Sequence, residues 1–449
     1  LSIDVAQRHP AYSLSPSRLG RIFQAKSEQD ASAMNLLDRI IDYVFRSNAK
    51  RDSIRKVYAI VAAQRDAPIA DAECARIGAF LLLRGMAQPR YRDMFELNLT
   101  EHPNGTCDYA LIIDGQALHA RRDIHDQQEI ARLRQACQRM KVDDYLLSLQ
   151  QHKDDAMSLI PAGEPLSIKQ GKTGDCYALV VMIGALSSPI VQESILNSAE
   201  ITERGALRLT FNANIHSPMG RQKLLRGESP ETLAKVLADR FEIHNLKKKG
   251  YALALENGRL QVDISPSRLR RIIDHPRSAS TNSLMVKILE HLAGNLMQNG
   301  QSPLRSNRDS IDAHNQRADN YDPLIGNLLG YGTALMYGPT NTEGLSMILE
   351  RAAARGCCLE DGSPRFLFVG CAYGQPDPFG NMHFHHAFVL DSVGYDMTGK
   401  AVSMTLVNPW DNLGERFVLT LDEAMKRDVA FAEYARRGTP LDPRIPMLP

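Results

Sequence analysis

Apolar residues recur at helical spacing through the first part of the chain. In NLLDRIIDYVF, Leu36, Leu37, Ile40, Ile41 and Val44 fall on one stripe, which predicts a helix packed along one face. SPSRLGRIFQ opens like a helix, with Ser15 as N-cap and Pro16 in the first turn. ISPSRLRRIID, from Ile264, repeats that opening, and a shared capping signal explains the repeat without duplication. FELNLTEHPNGTCDYALIID gives two strands about a Pro-Asn-Gly turn, and QEIARLRQACQRM returns to helix. The texture shifts to Pro and Gly at LIPAGEPLSIKQ, the mark of a linker entering a second domain. There YALVVMIGALSS is apolar nearly all round and predicts a buried helix. Residues 195–350 are mixed and include the polar loop NGQSPLRSNRDSIDAHNQRADN. The end is strand-rich, through RFLFVGCAYG, HHAFVLDSVGY and AVSMTLVNPW. The pattern predicts an α+β protein with a helix-rich N-terminal domain over 1–154 and a second domain over 155–449.

Composition narrows the function classes. Of 449 residues, 43% are hydrophobic and 23% charged, an ordinary globular balance with room for more than one core. The 53 basic and 52 acidic residues leave a net charge of +1, so no broad field favours nucleic acid or an anionic membrane. No apolar run approaches the roughly 20 residues of a membrane span. The seven cysteines (Cys74, Cys107, Cys137, Cys176, Cys357, Cys358 and Cys371) are odd in number and scattered, with no disulfide framework and no paired CxxC spacing for zinc. Reduced thiols in a cytosol-like compartment are the expectation. No cofactor is implied.

QGKTGDCY, residues 170–177, poses a choice between a phosphate loop and a cysteine at a helix start. A Walker A loop needs Gly, four further residues and then Gly-Lys-Thr, which puts the first glycine at Leu166; no β-branched strand precedes it. A cysteine at a helix N-terminus faces unpaired backbone N–H groups and the positive end of the dipole, which favour thiolate over thiol. Six residues upstream, Gln170 could turn its amide toward an oxyanion beside that sulfur. Cys176 is therefore the candidate nucleophile, against the plainer reading of a structural cysteine.

The C-terminal stretch supplies partners. HHAFVLDSVGYDMTGKAVSMTLVNPWDN reads as a β-hairpin turning near Thr398. Reflection through that turn puts the partner of His386 near position 411, within a few residues of Asn408. An imidazole held by a carboxamide on one nitrogen has the other free to face a sulfur. Trp410, the chain's single tryptophan, is placed to shield that bond.

These motifs, in this order, resemble the calpain branch of the papain-like cysteine proteases: Gln-Gly then Gly-Asp-Cys-aromatic, His-Ala-aromatic, and Asn-Pro-Trp. The resemblance implies a papain-like fold with Cys176 as nucleophile, His386 as general base, Asn408 as orienter and Gln170 as oxyanion donor. It covers about a third of the chain, has Tyr177 where tryptophan is usual, and implies a long insertion over about 195–345. No EF-hand loop follows, so calcium regulation is not implied. The N-terminal LLDRIIDYVFRSNAKRDSIRKVYAIVAA and TCDYALIIDG resemble the front part of type III secreted effectors of enteric-type bacteria, which implies delivery into host cytosol.

Other constellations carry less. In HFHH, a strand puts His383 and His385 on one face and His386 on the other, so the three do not converge on a metal. His385 is the rival general base. Cys357 and Cys358 are adjacent and read as a helix end rather than a redox pair, and Lys247–Lys249 as a solvated face. The expected chemistry is thiol attack on an amide carbonyl of a protein substrate, most simply peptide cleavage. Glutamine deamidation or transamidation, isopeptide hydrolysis, and a non-enzymatic binding role are the alternatives. No nucleic-acid partner, membrane span or metal is expected, and the sequence leaves the oligomeric state open.

Overall fold

The structure is a computed structural model and describes residues 16–33, 54–55, 58, 72–87, 89–150, 156–162, 165–171, 176–211, 250–256, 259–297, 329, 331–354, 366–372, 385–414, 416–427 and 429–436. The chain divides into two units, Leu1–Pro165 and Leu166–Pro449, both mixed α+β with antiparallel sheets.

In the first unit, short helices Pro16–Gln24 and Glu28–Ser32 precede a helix over Ala72–Met86. The expected Pro16 start is present, whereas NLLDRIIDYVF lies outside the described residues. A three-stranded meander follows: β1 (Phe95–Glu101), β2 (Cys107–Ile113) and β3 (Gln116–Ile124). The β1–β2 hairpin turns where Pro-Asn-Gly predicts it, with Gly105 in the left-handed region at φ 82°. Cys107, Tyr109, Leu111 and Ile113 alternate inward along β2 and pack with Phe80 and Leu83 and with Ile130 and Leu133 of the helix Gln127–Ser148. Burying such side chains stabilises the unit by about 1.5–3 kcal/mol each.

The boundary falls eleven residues later than the expected 154/155. Polar bonds explain the shift. Buried Arg92 donates to the carbonyls of Ala87 and Gly85 and, at 2.7 Å, to Ser158 Oγ, while Met157 N–H donates to Gln150 Oε1 at 2.7 Å. These bonds tie residues 156–162 to the first unit.

The second unit begins with the short strand β4 (Ile168–Lys169) and the apolar helix Cys176–Leu186, buried on every side from Ala178 onward. It meets the helix Pro189–Ser198 at 94°, and among the described residues no single helix is long and apolar enough to cross a membrane. Strands β5 (Glu200–Ile201), β6 (Leu207–Phe211), β7 (Tyr251–Glu256) and β8 (Arg259–Ile264) form a sheet in the order β5-β6-β8-β7. Ser265 caps the helix Pro266–Ile273, as its Ser-Pro start predicts. Strand β9 (Ser280–Thr281) then pairs with β4, and the helix Leu284–Met297 packs on the Cys176–Leu186 helix. Within the segment 195–345, the helix Leu284–Met297 thus lies against the cysteine helix.

The largest sheet has six antiparallel strands: β10 (Tyr331–Tyr337), β11 (Phe366–Ala372), β12 (His385–Tyr395), β13 (Ala401–Val407), β14 (Arg416–Thr420) and β15 (Ala430–Arg436), in the order β10-β15-β11-β12-β13-β14. Val369, Cys371, Phe388, Met404, Leu406, Leu419 and Phe431 form its core with Leu345 and Leu349 of the helix Thr342–Ala354. The expected β12–β13 hairpin is present. Asp396 accepts from Thr398 and Lys400 N–H groups at 2.8 and 3.0 Å, and Gly399 takes φ 81°.

Candidate active site

The hairpin register places the imidazole. Val389 pairs with Val407 at the end of the β12–β13 ladder, and β12 runs on past that pair to include His386. Asn408 is the first residue beyond β13, where the chain leaves the ladder and its side chain is no longer bound to strand alternation. His386 Nε2 and Asn408 Oδ1 lie 2.8 Å apart, both residues buried. Asn408 Oδ1 also accepts the backbone N–H of Trp410 at 3.1 Å. That second bond settles the proton. A backbone N–H can only donate, so the carboxamide atom here is the oxygen, and the histidine nitrogen sharing it must carry hydrogen. Nδ1 is then the basic nitrogen.

Aromatic rings box the imidazole. Phe388 meets its edge at 4.7 Å between centroids, and Trp410 lies over it at 4.8 Å with 44° between planes. Trp410 itself is 45% exposed, so it roofs the histidine from solvent. Burial lowers the His386 pKa from its ordinary 6.5, and the Asn408 bond opposes that in part.

Cys176 opens its helix, partly exposed, and that helix packs on β12 and β11. Cys371 on β11 is the cross-strand partner of His386. Its thiol is pushed up to about 12, chiefly by burial, and negative charge on Cys176 adds to the rise. Cys176 thus stands on the helix packed against the two strands that carry Cys371 and His386. Cys371 and Cys107 are buried thiols held protonated, and Cys137 is also raised by burial.

Gln170 joins from the other side. Its backbone N–H donates to Pro409 O at 2.9 Å, which seats it next to the Asn408–Trp410 loop. Gly171 follows, and a Cβ there would collide with the carbonyl oxygens of Arg277 and Ser278, so only glycine permits this approach. The structure brings His386 and Asn408 into direct contact, sets Gln170 against their loop, and sets the Cys176 helix against their strand. His383, Cys357, Cys358 and Lys247–Lys249 lie outside the described residues. Among the described residues no three His, Cys, Asp or Glu side chains gather as a metal site.

Two further residues border the site without standing in its motifs. Cys371 faces His386 across the strands, which only the β11–β12 register reveals. Asn412, buried, accepts from Ile168 N–H at 2.7 Å and donates to Leu166 O at 2.9 Å. It stands four residues after Asn408 in the quoted LVNPWDN, and a second asparagine there was the available signal. No family model matches this chain, and comparisons with curated proteins and with solved structures return no match.

Proposed function

We propose that this chain is a thiol hydrolase with a papain-like, calpain-type site that acts on amide bonds of protein substrates. The observation that carries the reading is the His386–Asn408 bond with its proton assigned to Nε2, since it leaves Nδ1 as the base. In this mechanism His386 Nδ1 takes the Cys176 thiol proton and the thiolate attacks the carbonyl carbon. Negative charge moves to the carbonyl oxygen, where the Gln170 amide and the helix N-terminus stabilise it. The C–N bond breaks as the imidazolium protonates the leaving amine, and a thioester remains on Cys176. Water, deprotonated by His386, then releases the acid and restores the thiol. The lowered His386 pKa suits a base that is neutral before the step.

Peptide bonds are the leading substrate. The resemblance of the N-terminal region to secreted effectors favours a host protein in a reducing cytosol. The test is mass spectrometry of a host-cell lysate incubated with wild-type or Cys176→Ala protein. New peptide termini that depend on Cys176 support a protease, and a Cys176-dependent gain of about one mass unit at glutamine supports a deamidase on the same acyl-enzyme route. The absence of both changes would overturn the hydrolase reading.

A further inference from the structure

The segment from Leu166 to Gly171 is held along both edges. On one edge it pairs with β9, and Ser167 N–H donates to Asn282 Oδ1 at 2.8 Å. On the other edge its successive polar groups all meet the loop after Asn408. Leu166 O accepts from Asn412 Nδ2 at 2.9 Å, and Ile168 N–H donates to Asn412 Oδ1 at 2.7 Å. Ile168 O accepts Asn412 N–H at 3.1 Å, and Gln170 N–H donates to Pro409 O at 2.9 Å. The Asn412 carboxamide thus imitates a peptide group, with one donor and one acceptor spaced to match a strand edge. It is 7% exposed, so water does not compete for these bonds.

We propose that Asn412 is a positioning residue that fixes Gln170 in register with Asn408, so that oxyanion donor and imidazole orienter form one unit. The inference rests on the roles proposed above for Cys176, His386, Asn408 and Gln170. Asn412 touches none of the reacting atoms. It acts on Gln170 through the strand, two residues from the bonded Ile168. A residue that merely stabilised the fold would affect every reaction of Cys176 alike, whereas one that positions the oxyanion donor affects only steps that develop an oxyanion.

Two small probes separate these cases. p-Nitrophenyl acetate acylates a thiolate through a tetrahedral oxyanion: the C–S bond forms, the ester C–O bond breaks and p-nitrophenolate leaves. Iodoacetamide alkylates the same sulfur by displacing iodide, with no oxyanion. Asn412→Ala is expected to slow the Cys176-dependent nitrophenolate burst about tenfold to a hundredfold, as a misplacement of about 1 Å can do. Its rate of iodoacetamide labelling at Cys176 should stay within about twofold. On a Gln170→Ala background the same change should slow the burst no further, since coupled residues are non-additive. If Asn412→Ala fails to fold, Asn412→Asp carries the same comparison, since it keeps the acceptor for Ile168 and loses the donor to Leu166. An unchanged burst, an equal loss with both probes, or fully additive losses with Gln170→Ala would each overturn the proposal. Failure of the underlying reading looks different, because Cys176→Ala would then give the same burst as wild type.

Discussion

The His386–Asn408 pair and the Ser278–His291 pair lie off opposite edges of the segment that carries Gln170, and each sets a buried imidazole 2.8 Å from a polar side chain. Ser278 Oγ also lies 3.1 Å from His275 Nδ1, and the two imidazoles meet edge to face at 4.7 Å. On distances alone, Ser278 and His291 imitate a serine–histidine dyad, with Glu290 adjacent in sequence. The surroundings differ. Glu290 spends its Oε2 on Ala279 N–H at 3.1 Å rather than on orienting the ring. Ser278 is 8% exposed, and Glu290 and His291 are sealed in the core. The other pair ends a strand under a half-exposed tryptophan, with a partly exposed cysteine on the helix packed against that strand. A hydrogen-bonded histidine becomes a candidate base only where a nucleophile and an opening to solvent accompany it. Otherwise the same bond is structural, and here it belongs to the loop whose Arg277 and Ser278 carbonyls lie against Gly171.

Mutants distinguish the two pairs. The largest effect is expected at the first site: Cys176→Ala should abolish acylation by p-nitrophenyl acetate, and His386→Ala should slow it by about a thousandfold. His385→Ala should keep most of it. Ser278→Ala should leave the burst within a few-fold of wild type while lowering unfolding free energy by about 1–3 kcal/mol in urea titration. A fluorophosphonate that labels Ser278 in the folded protein would instead make the second pair a working site.

Asn408→Ala should slow the burst about tenfold to a hundredfold, less than either catalytic change, because it frees the ring without removing base or nucleophile. Its pH–rate profile, measured beside wild type, checks whether the loss comes through the histidine. Gly171→Ala tests the contact between the two regions. With two backbone carbonyls in the way, it should cost about 1–3 kcal/mol of stability as overpacking does, read as a lower urea midpoint. An unchanged midpoint would show that the Arg277–Ser278 loop moves aside freely.

The smallest effect is on pH dependence. Burial lowers the His386 pKa, so below 6.5 the unfolded chain binds this proton more readily than the folded one. The resulting stability is fully present above pH 6.5 and is lost as pH falls through the lowered folded value. In a Cys176→Ala background, the drop in urea midpoint from pH 7.5 to pH 5 should shrink when His386 is also replaced by alanine. An unchanged drop would mean that the folded protein tolerates imidazolium at this position.

The candidate site is more legible in the sequence than the sheets around it. Cys176, His386 and Asn408 stand in short motifs, and the Asp396–Lys400 turn fixes where the last two meet. Strand β3 is hard to see in the sequence because the polar residues of QALHARRDI mask any alternation, although Asp114-Gly115 is a tight-turn pair and both residues take positive φ. Strands β7 and β8 are equally hard to see, although Asn257-Gly258 lies between their paired ends Glu256 and Arg259 in the sequence. Neither signal says which sheet a hairpin joins. The six-stranded order depends on β15 inserting between β10 and β11, a pairing of distant segments that no local pattern encodes. Asn412 was hidden for the same reason, since its partners lie more than 240 positions away.

The roof over His386 has an optical consequence. The chain contains a single tryptophan, so all of its indole emission originates 4.8 Å from the imidazole. A protonated imidazole quenches a neighbouring indole more strongly than a neutral one. The indole fluorescence of the protein therefore reports the charge on one ring, and a titration followed at that emission reads His386 without a substrate, a label or a mutation.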